Sequence, residues 1–199
     1  YIGYQEHQEL REGLADLQRF AEEFNLPVAV PQRRFHAFDS KHKNAGGRLP
    51  NRANKALLDE LKDSDLVLVI GERMLPSMTQ NFSFPKAPVA DQPFIHVWPD
   101  AEEVGRAYSP TLGIAAEPRV FLQAMLDAGP GDVPPSRSGW VEKLNGLHKE
   151  NMTWRGKSSN DGLVFGNVIA AIDKHMTDTA VVTCDAGNFS SWMAQYLNM

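Results

Sequence analysis

Residues 65–71 read DLVLVIG. Five apolar side chains, Leu66 to Ile70, run without interruption and a glycine closes them. A strand with one wet face alternates polar and apolar residues. An unbroken apolar run bounded by glycine predicts a parallel strand covered on both faces. Gly71 lets the backbone turn sharply where that strand ends.

The flanking stretches carry the same alternation of strand and helix. Upstream, a helix is predicted from about Asn51 to Lys62, with Leu57, Leu58 and Leu61 on its buried side. Residues 5–24 place Leu10, Leu14, Leu17, Phe20 and Phe24 at helical spacing, with charge on the other face. NLPVAV at 25–30 is a short buried-strand candidate, and PQRRFHAFDSKHKNAGGRLP at 31–50 reads as a long polar loop, functional or mobile. Tyr1-Ile2-Gly3 reads as the last residues of a strand. Downstream, FIHVW at 94–98 is another strand, after which Asp100 can cap a short helix with Glu102 and Glu103 in its first turn. GIAAEPRVFLQAMLDAG gives a brief strand and a helix from Pro118 to Ala128, proline at its start and Gly129 past its end. The fold class is therefore α/β, a Rossmann-like parallel sheet flanked by helices.

Residues 129–139, GPGDVPPSRSG, break the composition with three prolines and three glycines, and predict a linker between a domain at 1–128 and a segment at 140–199. That segment offers helices near 140–150 and 164–176. It ends in TAVVTCDAGNFSSWMAQYLNM, read as a strand (Val181, Val182, Cys184), a turn at Asp185–Asn188 and the start of a helix: an incomplete second α/β segment.

Composition excludes several functions. A net charge of −5 leaves no basic footprint for nucleic acid. No apolar run approaches the ~18 residues that span a bilayer. The one cysteine, Cys184, rules out a disulfide framework, points to the cytoplasm, and reads as a buried, inert thiol. Six histidines are scattered without metal-ligand spacing, reading as surface or locally bonded groups, and no nucleophile, phosphate-loop or dinucleotide motif appears. No catalytic or metal-binding residue is assigned. Three strand ends remain as candidates. Gly71 with Arg73 could meet a phosphate or carboxylate, or be a turn glycine beside a solvated arginine. Asp100 could hold a ribose or simply cap its helix. In DAGNFSSW, Gly187 permits close approach, and the amides of Asn188 to Ser190 open a helix N-terminus, which favours an anion.

The stretches LQRFAEEFNLPVAV, KHKNAGGRLP, LKDSDLVLVIGERM, FIHVWPDAEEVGRAYSP and AVVTCDAGNFSSW occur in the order found in thiamine diphosphate-dependent enzymes similar to acetolactate synthase. The resemblance covers most of the chain. It implies the central Rossmann-like domain, with its first strand cut short, then a linker and the opening of the diphosphate-binding domain. It makes Gly187, Asn188, Phe189 and Ser190 the candidate diphosphate contacts, with thiamine diphosphate and Mg2+ as cofactors of a larger parent. The parent would decarboxylate a 2-oxo acid substrate or join it to a second carbonyl, as a homodimer or homotetramer. The family's magnesium-binding G-D-G motif and its activating glutamate are not in this sequence, so the chain alone is expected to be inactive. FAD is not expected. NAGGRLPNR replaces the family's histidine-containing glycine loop, ERMLPSMTQ lacks the paired aspartates, and Trp98 stands where a ribose-binding aspartate belongs. That loss removes an anchor of about 1–3 kcal/mol. The competing readings are a self-standing module for ADP, coenzyme A or FAD built on Gly71, Arg73 and Asp100, and a structural domain without ligand.

Overall fold

Every strand pairing in the computed structural model is parallel, as the alternation of elements requires. The structure describes residues 4–31, 34–50, 53–160, 162–177, 179–185 and 187–198, with side chains from residue 12 onward. After α1 (Tyr4–Glu23) comes β1 (Val28–Pro31), which pairs with β2 (Ala45–Leu49). Then α2 (Lys55–Lys62) leads to β3 (Val67–Ile70), β4 (Phe94–Trp98) and β5 (Leu112–Ala115), hydrogen-bonded in that order with Leu68 opposite Ile95 and Ile95 opposite Leu112. The helices α3 (Pro118–Ala128), α4 (Ser136–Met152), α5 (Phe165–His175) and α6 (Asn188–Tyr196) follow.

Two helical layers cover the strands. On one face, Phe20 and Phe24 at the end of α1 pack with Leu122 of α3 against Leu26, Leu68 and Ile70. On the other, Leu57 and Leu61 of α2 and Leu144 of α4 pack against Ala29, Leu49 and Val67. Val67 and Leu68 face opposite layers because successive side chains of a strand alternate. Each leucine buried this way contributes about 1.5–3 kcal/mol, which fixes the helices over the sheet. Arg119 of α3 adds ion pairs to Glu12 and Asp16 of α1.

Several expectations shift by a few residues. The Asn54 side chain accepts from the amides of Ala56 and Leu57, so α2 starts at Lys55; Asn51 itself lies outside the described residues. Pro134 and Pro135 precede the first turn of α4, which starts at Ser136 inside the stretch read as a linker. Tyr1-Ile2-Gly3 and the Leu10 side chain also lie outside the described residues.

Four expectations are corrected. The 31–50 loop contains a three-residue helical turn at Phe35–Ala37 and the buried strand β2. Its AGGRL sequence lacks β-branched residues because two neighbours leave no room for them. A Cβ on Gly46 would sit 2.8 Å from the Pro27 Cβ, and one on Gly47 2.6 Å from Leu57 Cδ2. Second, β3 is apolar on both faces but only half-buried, because it borders just one described strand. Third, Asp100 caps a run of turns rather than a helix, its Oδ1 accepting from the Glu102 amide at 2.9 Å. Fourth, Val181–Cys184 forms no strand. Val181 is 87% exposed and Cys184 is exposed, since no described strand lies alongside to take up their backbone groups.

Candidate functional site

The carboxyl edge of β3 and β4 gathers one group of candidates. Gly71 leaves β3 with φ 71°, its amide donating to the Val97 carbonyl at 3.0 Å, and Pro118 of α3 packs 3.0 Å from where a Cβ would stand. A side chain here would be both strained and crowded. Two residues on, the Arg73 guanidinium lies over the Trp98 ring, 5.6 Å from its centre. The tryptophan thus occupies the arginine face-on, a contact worth about 0.5–1 kcal/mol when exposed. Asp100 stands two residues past Trp98, but its Oδ1 and its carbonyl serve the turn that follows. His96 supports the edge from beneath. It is buried on the same side of β4 as Trp98, and its Nε2 donates to the Glu72 carbonyl at 2.8 Å. The structure therefore unites Gly71 and Arg73 with Trp98, and leaves Asp100 engaged as a cap.

The second group opens α6. Gly187 precedes the helix with φ 151°, and a Cβ there would meet the Phe189 ring at 2.8 Å. Only glycine adopts this entry without strain. The Ser190 amide and hydroxyl both donate to the Gly187 carbonyl, at 3.1 and 2.7 Å. Phe189 meets Phe165 of α5 edge to face. Gly187, Asn188 and Phe189 are exposed, and the first turn holds no acidic residue. An anion is therefore favoured there by the helix dipole and by first-turn amides. These features fit the diphosphate of a cofactor. α6 packs on α5 and α4, whereas Gly71 packs on α3, so the two groups sit on different elements.

Two further features are scarcely marked in the sequence. Arg48 of β2 is buried, and its Nη1 donates to the carbonyls of Ala194 and Leu197 at 2.6 and 2.9 Å, gripping the end of α6. Burial lowers its pKa to about 10, partly countered by Asp173, so it stays charged at neutral pH. The only hint in the sequence is a lone arginine inside a run of small residues. A cleft of about 410 Å³ lies between Lys41, Lys149, Trp154, Asp173 and Tyr196. Its size is that of a ligand pocket, but its walls come from segments more than a hundred residues apart. Among the described residues, no group of three or more acidic, histidine or cysteine side chains could hold a metal.

His148 of α4 lies beside Arg48 and donates through Nε2 to the Ser40 carbonyl at 3.0 Å. Burial lowers its pKa below the ordinary 6.5, with Arg48 and Lys149 adding to the effect against the Ser40 bond. The unfolded chain then binds the extra proton, so stability falls as pH drops through 6.5 toward the folded value. His148→Gln keeps a donor for Ser40 without titrating. Its urea midpoint is expected to change less between pH 7 and pH 5 than that of the unsubstituted chain. Equal pH dependence in both proteins would remove His148 as the cause.

Comparison with known proteins agrees with this architecture. Residues 7–125 match the family model described as the thiamine pyrophosphate enzyme, central domain. Acetolactate synthase 2, chloroplastic, of Nicotiana tabacum is 23% identical over 184 residues, covering 91% of this chain and 27% of that protein. The acetolactate synthase large subunit of Corynebacterium glutamicum is 24% identical, covering 92% and 29% respectively. Sulfoacetaldehyde acetyltransferase of Rhodobacter capsulatus is 26% identical, covering 90% and 34%. The chain thus spans about a third of the length of the curated relatives it matches. It belongs to the thiamine pyrophosphate enzyme family, through that family's central domain. No described helix is long and apolar enough to cross a membrane.

Proposed function

We propose that this chain is the central domain (1–128), linker (129–139) and opening of the diphosphate-binding domain (140–199) of a thiamine diphosphate-dependent enzyme acting on a 2-oxo acid. The observation that carries the reading is a parallel, helix-flanked sheet whose residues 7–125 match the family's central domain. The relatives named above, acetolactate synthases and an acetyltransferase, support a lyase or transferase. Gly187, Asn188, Phe189 and Ser190 are assigned to the cofactor diphosphate at the start of α6, where Ser190, donating to the Gly187 carbonyl through both its amide and its hydroxyl, shapes the turn and the amides ahead of it face the anion. Bound thiamine diphosphate supplies the electron sink that lets a 2-oxo acid lose carbon dioxide. This chain's own part is to hold the anionic end of the cofactor and to scaffold the sheet. Magnesium, the 2-oxo acid pocket and a homodimeric or homotetrameric assembly in the cytoplasm belong to the longer parent in this reading.

Two measurements test it. The 199-residue chain alone is expected not to turn over pyruvate with thiamine diphosphate and magnesium, whereas the longer polypeptide does so only when both are added. In the longer polypeptide, Gly187→Ala should weaken thiamine diphosphate at least about tenfold, since its Cβ collides with the Phe189 ring and its φ is strained. Cofactor-independent activity, or unchanged cofactor affinity in the variant, would sink the assignment.

A second reading, a nucleotide-binding module without catalysis, draws on Gly71 and Arg73 at the strand ends. Trp98 already lies under the Arg73 guanidinium and Asp100 is engaged as a cap, so ADP or coenzyme A must displace the arginine to reach it. Micromolar binding of ADP by the chain, lost in Arg73→Ala, would favour this reading. FAD is not expected to bind.

A further inference from the structure

The cleft of about 410 Å³ takes no part in the cofactor reading. Its walls come from four segments: Lys41 before β2, Lys149 and Trp154 at the end of α4, Asp173 of α5 and Tyr196 of α6. Hydrogen bonds tie these segments to one another. His148 donates to the Ser40 carbonyl and Asn145 to the His42 carbonyl at 2.9 Å, so α4 holds the turn that carries Lys41. Gln195 Nε2 donates to the Asn151 carbonyl at 3.3 Å, tying α6 to the end of α4. Asn198 donates through its amide and its side chain to the two Asp173 oxygens, each at 2.7 Å, which ties the end of α6 to α5. Walls braced in this way exist before a guest arrives, and that lowers the cost of binding.

Two of the walls are aromatic. Trp154 is held at one edge by Nε1, which donates to Asn167 Oδ1 at 2.7 Å, and at another by Gly166, where a Cβ would stand 2.6 Å from the ring. Tyr196 meets it at 66° with ring centres 5.2 Å apart, and both residues are half-buried. Met152 and Ala170 add apolar surface. Neither Lys41 nor Lys149 has an ion-pair partner among the described residues, whereas Lys55, Lys86 and Lys143 each have one. Asp173, the one carboxylate among the described lining residues, has both oxygens engaged by Asn198. The lining therefore offers two free ammoniums against one occupied carboxylate, and one negative charge on a guest balances it.

We infer that this cleft is a binding site for a small organic monoanion with a planar apolar body, its ring against Trp154 and Tyr196 and its carboxylate facing Lys41 and Lys149. A flat ring gains both apolar burial and edge-to-face contact from the two aromatic walls. Lysines meet an anion as point charges without a bidentate fork, so the rings carry the selectivity and the ammoniums add the charge. The volume is that of a pocket for a small molecule. The inference is independent of the cofactor reading. The cleft lies at the Tyr196 end of α6, and nine helical residues, about 13 Å, separate it from the turn at Gly187.

The test is calorimetric titration at constant ionic strength without thiamine diphosphate, on the 199-residue chain and on the longer polypeptide. The probe is 2-naphthoate; acetate and 2-naphthylmethylammonium are the controls that lack the ring and the negative charge. One equivalent of 2-naphthoate is expected to bind to both proteins, with each control at least about tenfold weaker. Lys41→Ala and Lys149→Ala, at exposed positions, should each weaken it by about threefold, and Lys86→Ala on a distant loop should not. Ala170→Leu fills the cleft without removing any of these contacts and should weaken it at least about tenfold, with Tm measured alongside to confirm folding. Equal binding of the naphthyl cation, or full affinity in both lysine variants, overturns the inference, because the cleft is then an apolar patch. Binding to the 199-residue chain that disappears in the longer polypeptide overturns it as well, since polypeptide then occupies the cleft.

Discussion

Gly46→Val is expected to lower stability by about 3 kcal/mol, seen as a fall of roughly 6–12 °C in Tm. A Cβ at Gly46 meets the Pro27 Cβ at 2.8 Å, the Val28 nitrogen at 3.2 Å and the Pro27 carbonyl carbon at 3.3 Å. Two of these are backbone atoms leading into β1, and a flexible side-chain tip cannot relieve them. The pairing of β1 with β2 already carries an irregularity between Val28 and Ala29, so the strand has no slack to move away. Valine adds a Cβ and two methyl groups to a position that has no space for the Cβ alone. Gly146→Ala in α4 is the matched control. It is exposed with nothing within 4 Å of an added Cβ, and alanine there is expected to raise stability by about 0.5–1 kcal/mol. A Gly46→Val protein that melts with the unsubstituted chain would mean that β2 does not lie against Pro27 in solution.

The same crowding hides β2 from a reading of the sequence. Strand reading relies on branched and aromatic side chains, and AGGRL has neither, because Pro27 and Leu57 occupy the space they would fill. β4 and α3, by contrast, declare their bounds: FIHVW has a strand's composition, and Pro118 and Gly129 punctuate the helix. The half-buried state of β3 depends on what stands beside it, which no pattern within seven residues records. The candidate site divides similarly. Gly71 and Gly187 were visible because glycine marks turns, and both have positive φ. The failure of Val181–Cys184 as a strand was not visible, since an apolar run specifies a strand only where a neighbour accepts its hydrogen bonds. The contact of Arg73 with Trp98 and the grip of Arg48 on α6 join residues distant in the chain, and no local spacing encodes them.

Arg48→Ala is expected to cost about 3 kcal/mol and to release α6 from the sheet. Nη1 donates to two carbonyls at the last turn of that helix, where unsatisfied oxygens and the negative end of the dipole favour a cation. Hydrogen bonds from a charged donor contribute about 1.5–3 kcal/mol each. The guanidinium also covers the Phe35 ring at 5.1 Å, and alanine leaves that space open. Against this stands the desolvation that lowers the pKa to about 10, and Nε and Nη2 have no hydrogen-bond partner, so removing the charge returns part of the loss. The folded value lies below that of a free guanidinium, so this desolvation penalty is fully present below pH 10 and is relieved only as pH rises above it. The difference between Arg48→Ala and the unsubstituted chain should therefore be flat from pH 7 to pH 9. The local readout is amide exchange over Met193–Leu197, together with the fluorescence of Trp192, which packs 5.5 Å from Trp154. Faster exchange there, with Val67 and Gly71 unchanged, places the loss at α6. Arg48→Lys should restore part of the protection, having the charge without the fork of donors. Because Gly187–Ser190 open the same helix, Arg48→Ala in the longer polypeptide should weaken thiamine diphosphate without any contact to it. Unchanged exchange over Met193–Leu197 would show that α6 is held by its aromatic contacts with α5 and not by the arginine.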